Sequence, residues 1–276
     1  MKKVLISTLV ILLISNISYA AKTSKYENNN YEYNKTIQTT RDYLKSVENS
    51  KNYKQDSYAD LLTLLNKAKM AEKNNDYYAA INYYDRILKI DPKNSDIYYG
   101  LRGMVYLENL NILDSAISDF TNAIKYNSNE SEYYTMRGIA RMRIGDKDGA
   151  YTDLTKAIEI NKQNGTPKAL PYCVRGLVNS MKGNEKAAIE DTTQSIKLQP
   201  KNPQAFHYRG LSKMALSLEQ LSMQTMDSGI QDLNYAKEQC LQESDMVEYQ
   251  SVLESYKRAL TAKQVLEREL NKNKGK

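Results

Sequence analysis

The chain has 276 residues, 41% of them hydrophobic and 26% charged, with 11 glycines and 5 prolines; this balance suits a folded protein and supplies too few turn-formers for an all-β fold. Its net charge of +6 is interleaved with opposite charge along most of the length, the pattern of a solvated surface and not of a nucleic-acid footprint. Two cysteines, Cys173 and Cys240, are too few for a small disulfide-stapled scaffold, so stability must come from packing.

In chain order, Lys2 and Lys3 precede an apolar run from Val4 to Ile14 and then Ser18-Tyr19-Ala20, a small-x-small triplet. This reads as a secretory signal cleaved after Ala20. The run is shorter than the about 20 residues a spanning helix needs, and no cysteine follows to accept a lipid. The expectation is an exported chain, periplasmic or secreted, with no stable membrane insertion after cleavage. Residues 21–56 form an N-terminal extension with one helix over 33–50, Tyr43 and Leu44 on its apolar side.

From there the sequence repeats. Arg-Gly occurs at Arg102-Gly103, Arg137-Gly138, Arg175-Gly176 and Arg209-Gly210, at spacings of 35, 38 and 34 residues. Each pair lies in an amphipathic helical run and is followed by a second small residue: Ala116, Ala150, Ala188 and Gly229; an earlier unit has Ala68 and Ala80. The interval between the small residues is 12 in three units, 13 in the Gly103 unit and 19 in the last. Two antiparallel helices approach closely only where neither carries a bulky side chain, so each pair of small residues marks a crossing. Asn75-Asp76, Gly145-Asp146 and Gly183-Asn184 fall between them as turns. The seven additional residues of the last unit are about two helical turns; with Leu211, Met214, Leu218 and Leu221 in helical register they predict a longer hairpin turning within Ser222 to Asp227.

The period, together with Ala80-x3-Tyr84 and Pro92, Ala116-x3-Phe120, Ala150-x3-Leu154, Ala188-x3-Thr192 with Pro200, and Gly229-x3-Leu233, resembles the tetratricopeptide repeat. Tyr99, Tyr134, Tyr172 and Phe206 stand at its early aromatic position. The resemblance implies an all-α, right-handed superhelical solenoid of about five helix-turn-helix units over 57–242, divided at about 57–94, 95–130, 131–164, 165–202 and 203–242. A helix over 243–270 is expected to cap the array, opened by Asp245 and Glu248 and packing through Met246, Tyr249, Leu253, Tyr256 and Leu260. Residues 271–276 are expected to be a disordered tail.

Every unit with Arg before its glycine also has Asp three positions after its second small residue: Arg102 with Asp119, Arg137 with Asp153, Arg175 with Asp191 and Arg209 with Asp232. The first unit has neither, carrying Lys67 and Tyr83. Residue types that appear and vanish together suggest structural ion pairs, within a hairpin or between neighbours, and not a ladder for anionic ligands.

Nothing in the pattern calls for catalysis, a metal or a cofactor. His207 is the one histidine, and no zinc-ligand spacing, phosphate loop or nucleophile elbow occurs. Cys173 and His207 share one position in successive units, a thiol beside an imidazole, but no orienting carboxylate or oxyanion donor is recognisable. A Cys173 to Cys240 disulfide stays open, since sequence does not supply its geometry.

The resemblance implies an inner groove lined by the first helix of each unit, mapping here onto Met104, Leu107, Ile139, Met142, Leu177, Met181, Leu211 and Met214. Met-rich apolar lining suits an amphipathic helix or an extended apolar peptide. The alternatives are that the C-terminal helix fills the groove, or that these residues are core between repeats. The functional expectation is a scaffold or adaptor binding another protein or peptide in the cell envelope or outside it, with a chaperone-like holder of unfolded clients as the alternative.

Overall fold

The computed structural model describes residues 55–274, with side chains from 60 to 272. The signal, its cleavage site and the helix expected over 33–50 lie outside them. Every described element is helical and there is no strand among the described residues, as the repeat pattern requires. They fall into two compact units, one ending at Ile144 and the other starting at Gly145.

The first unit holds α1 (Gln55–Lys73), α2 (Tyr77–Ile90), α3 (Ser95–Met104), α4 (Leu113–Tyr126) and α5 (Ser131–Ile144). The turn between α1 and α2 uses Asn75 in the left-handed region, φ 60°, followed by Asp76, whose side chain accepts from Ala79 N at 3.2 Å; Asn and Asp tolerate these roles because their short side chains hydrogen-bond locally. Leu61, Leu64, Ala68, Ala80, Tyr84 and Ile87 of the first hairpin form one apolar cluster with Tyr98, Leu101 and Val105 of the second. In the second hairpin a Cβ on Gly103 would lie 3.0 Å from Phe120 Cε1, so glycine is what lets the aromatic of α4 rest on the backbone of α3.

The interval of 13 in this hairpin has a local cause. Past Met104 the helix continues as a π turn, Val105–Asn109, closed by Leu110 N donating to Val105 O at 3.1 Å. A π turn absorbs one additional residue without breaking the helix. Arg143 of α5 holds it: Nη1 donates to Leu107 O at 3.0 Å and Nη2 to Glu108 Oε1 at 3.3 Å.

The second unit holds α6 (Lys147–Gln163), α7 (Ala169–Met181), α8 (Glu185–Leu198), α9 (Pro203–Gln220), α10 (Met223–Gln242) and α11 (Met246–Lys274). Gly145 and Gly183 take φ 91° and 77° in the predicted turns. On Gly210 a Cβ would sit 3.0 Å from the carbonyl oxygen of Gly229, and on Gly176 it would sit 2.6 Å from Thr192 Cγ2, so the small residues do mark the crossings. The last hairpin is lengthened on both arms, with 18 residues in α9 and 20 in α10 against 13 in α7 and 14 in α8. Its turn lies at Leu221, φ 53°, and Ser222, at the near edge of the predicted segment.

The helix α11 covers α10 as the expected cap, but with a different face and a greater length. Its buried stripe is Glu248, Val252, Ser255, Ala259, Ala262 and Leu266, alternating steps of four and three, the seam of a coiled-coil-like contact. The stripe predicted from bulk is exposed at its ends, Met246 at 52% and Leu260 at 40%. Small residues let α11 approach closely, which apolar size does not reveal. The helix also continues through 271–274, where a disordered tail was expected.

Candidate functional site

The arginines are committed to structure. In three hairpins the guanidinium grips the aspartate of the facing helix with two N–H groups: Arg102 Nε and Nη2 to Asp119 at 2.8 and 2.6 Å, Arg175 to Asp191 at 2.9 and 2.6 Å, and Arg209 to Asp232 at 2.8 and 2.7 Å. The remaining Nη1 reaches the second helix of the preceding hairpin, at Asp85, at Thr155 Oγ1 (3.1 Å) and at Thr193 Oγ1 (3.3 Å) respectively. Arg137 and Asp153 belong to different units; in its own, Arg137 donates to Thr121 Oγ1 at 3.1 Å, the equivalent position. Burial draws the Arg102 guanidinium down, but the hydrogen bonds and charges of Asp119 and Asp85 outweigh it and hold it above its ordinary value. Over each guanidinium lies the early aromatic of the same helix, Tyr99, Tyr134, Tyr172 and Phe206, at 5.4, 5.7, 5.8 and 5.2 Å. These aromatics are lids on cations, a role their spacing of three residues from each arginine could have disclosed.

The predicted groove lining is mostly core. Leu107, Ile139, Met142, Leu177, Leu211 and Met214 are no more than 1% exposed, so they cannot touch a guest. Helical periodicity showed that this face is apolar but not that neighbouring first helices close over it; in the second unit α9 contacts both α7 and α11. Met181 and Met104 are half-buried. Met181 carries a structural bond, its carbonyl accepting from Lys147 Nζ at 2.7 Å.

Met104 opens instead onto a shallow recess between α3, α4 and α5, lined by Gly100, Leu101, Met104, Phe120, Glu132, Tyr133 and Met136. A Cβ on Gly100 would lie 2.6 Å from Tyr133 Cε1, so glycine is needed for the tyrosine ring to form the wall. The Tyr133 hydroxyl donates to Asp96 Oδ2 at 3.4 Å. Of the recess, sequence reading had found Met104 alone.

His207 is fully buried. Its Nδ1 lies 2.9 Å from Glu248 Oε1 and its Nε2 2.9 Å from Ser255 Oγ, both on α11. An orienting carboxylate is therefore present where none was recognisable in sequence, 41 residues away. Carboxylate, imidazole and hydroxyl in this order resemble a hydrolase triad, but Glu248 and Ser255 are 4% and 2% exposed. Ser255 sits within a helix whose amides are already bonded, and its Oγ also bonds Ser251 O at 3.1 Å, so no substrate path or oxyanion donor accompanies it. The group is a buried clasp between α9 and α11. Cys173 and Cys240 are free and buried, and burial pushes each thiol up to about 12, far from a reactive thiolate. Among the described residues no three His, Cys, Asp or Glu side chains cluster as metal ligands, and no helix is long and apolar enough to cross a membrane.

One carboxyl is poised near neutrality. Burial, aided by the charge of Glu219, pushes Glu185 up to about 7 against the opposing hydrogen bond from Ser180, whose Oγ donates to Oε2 at 2.8 Å. A carboxyl raised on folding stabilises the fold while protonated; that contribution is present below the ordinary glutamate range and is lost as pH rises through about 7. Glu185→Gln is therefore expected to be more stable than wild type at pH 8 by about 2 kcal/mol, with the difference shrinking to nothing near pH 4. Urea midpoints of both proteins across that range check this; a constant difference would refute it.

Stacked antiparallel hairpins, crossed at small residues and tied by arginines, define a helical-hairpin repeat protein. The chain matches the tetratricopeptide repeat family over residues 62–94 and 131–164. It is 34% identical over 127 residues to TPR repeat-containing protein MJ1428 of Methanocaldococcus jannaschii, covering 44% of this chain and 19% of that protein. The chain thus spans about a fifth of that relative's length. Among solved structures it resembles PilW, described as a widely conserved type IV pilus biogenesis factor, with TM-score 0.58 and 20% identity over 80% of this chain and 94% of that one. MamA is similar as well, with TM-score 0.54 and 22% identity over 68% and 95%. Two segments of the chain are thus similar to tetratricopeptide repeats.

Proposed function

We propose that this chain is a non-enzymatic scaffold that binds another protein through the recess at Met104, and that it acts after export, in the periplasm or outside the cell. The recess carries the reading: it is the place where the expected lining meets open apolar space. The family supports a protein partner, PilW supports a role in assembling an envelope structure, and the Lys2-Lys3, Val4 to Ile14 and Ser18-Tyr19-Ala20 pattern supports export. The closed clasp at His207 and the protonated thiols support a role without catalysis.

The test is in-cell photocrosslinking from position 104, with the buried position 142 as control. One stoichiometric partner is expected at 104, and Met104→Glu should abolish its capture while helical content stays intact. Capture that survives Met104→Glu removes the recess from the reading; a crowd of unrelated captured chains would favour a holder of unfolded clients. The purified chain should begin at Ala21, and one still beginning at Met1 would refute export by a cleaved signal.

A further inference from the structure

The bulky stripe on α11, Met246, Tyr249, Leu253, Tyr256 and Leu260, is not the one that this helix buries, and its place in the repeat shows what it lacks. On α9, Phe206, Gly210, Lys213 and Ser217 face the second helix of the hairpin, α10. Phe206 packs on Tyr235 with ring centroids 4.2 Å apart, and a Cβ on Gly210 would lie 3.0 Å from Gly229 O. Lys213 Nζ donates to Ser228 Oγ at 2.9 Å, and Ser217 Oγ lies 3.7 Å from Met226 Sδ. Moved 43 residues along the chain, these four positions become Tyr249, Leu253, Tyr256 and Leu260. Among the described residues no second helix follows α11, and the stripe stays open: Met246 and Leu260 are exposed, and Tyr249, Leu253 and Tyr256 are half-buried. Tyr249 leans towards Ala236 and Cys240 of α10, and Tyr256 lies under Lys237 Nζ at 4.4 Å. Met246, Leu253 and Leu260, one heptad apart, form the outward ridge.

We infer that this ridge is an interface between two copies of the chain: their α11 helices pair antiparallel about a two-fold axis near Leu253, each serving as the other's second helix. Alternating steps of three and four residues are the spacing by which helices interdigitate at a shallow crossing. A two-fold axis at Leu253 brings Met246 of one copy to Leu260 of the other, so the ridge is complementary to itself. Charge selects the direction. From 243 to 254 the chain has four carboxylates and no cation, and from 257 to 272 it has five cations and two carboxylates. Antiparallel pairing lays the acidic start of each helix along the basic stretch of the other, whereas parallel pairing sets like charge against like. This surface is separate from the Met104 recess, so either reading can fail without the other.

Sedimentation equilibrium of the full chain should show a dimer. Leu253→Glu should weaken it about a hundredfold, because two carboxylates then meet in an apolar seam, and circular dichroism should not change, since the residue is half-buried. Cysteine variants treated with oxidised glutathione read the direction, the native Cys173 and Cys240 being buried. Leu253→Cys should link to itself between copies, and a mixture of Met246→Cys and Leu260→Cys chains should link 246 to 260. Val247→Cys, exposed but turned away from the ridge, should not link. A monomer, a dimer indifferent to Leu253→Glu, or linking of 246 to 246, which is parallel pairing, overturns the inference. In a monomer, slow maleimide labelling of Leu253→Cys would mean that another segment of the same chain, such as residues 33–50, covers the ridge. Rapid labelling would mean that the ridge is open to a different protein, and both results count against a second copy.

Discussion

Replacing His207 with alanine is expected to destabilise the second unit by about 3 to 5 kcal/mol, the range for losing a large buried side chain while stranding a buried charge. The imidazole is wholly enclosed and is bonded on both nitrogens. Its removal opens a cavity, leaves the Glu248 carboxylate unpaired at 4% exposure, and frees the Ser255 hydroxyl to its own helix alone. Because Glu248 and Ser255 both belong to α11, the loss should appear first as detachment of that helix. Limited proteolysis should cut within 246–274 in His207→Ala under conditions where wild type resists, and denaturant unfolding should give the magnitude. Replacing the trio together by His207→Leu, Glu248→Met and Ser255→Ala should recover most of the loss, since packed apolar groups can substitute for a buried polar set. A cost below about 1 kcal/mol for His207→Ala would mean that the clasp does not hold the cap.

Asp191→Ala is expected to cost about 2 to 4 kcal/mol, somewhat under the value for a fully enclosed pair because the Arg175 side chain keeps 17% exposure. Asp191 accepts from Arg175 twice and from Asn179 Nδ2 at 2.9 Å. Without it the guanidinium retains Thr155 and the faces of Tyr151 and Tyr172, contacts that do not neutralise its charge. The double replacement Arg175→Met with Asp191→Leu should be less harmful than Asp191→Ala alone. Asp148→Ala, which removes an exposed partner of Lys182, should leave the denaturation midpoint in place. If Asp191→Ala behaves like Asp148→Ala, the arginine ladder contributes nothing to holding the hairpins.

The hairpins were legible because their determinants are local. Gly176 and Ala188, or Gly210 and Gly229, announce a crossing by lacking side chains, and Asn75-Asp76, Gly145-Asp146 and Gly183-Asn184 announce turns by tolerating left-handed backbone and capping a helix. The aspartate partners were legible because a pair repeated several times is its own control. The inner groove was not: Leu177 and Leu211 have the period of an apolar face, and period does not say whether solvent or a neighbouring helix lies over it. Nor was the clasp, whose members stand 41 and 48 residues apart and have one copy each. The seam of α11 was misread because a buried carboxylate, a serine and two alanines do not look like a packing stripe until the fully enclosed His207 is placed against them.

The π turn at Val105–Asn109 shows how an array of near-equal modules can tolerate a miscount. A surplus residue in an ordinary helix would rotate everything beyond it by about 100°, turning the next small residue away from its mate. Here the surplus is stored as one widened loop of backbone, buttressed by Arg143 from α5, and the two modules that follow keep their interval of 12. Length variation in such a chain can accumulate one residue at a time, wherever a neighbour offers a donor to steady the swollen turn.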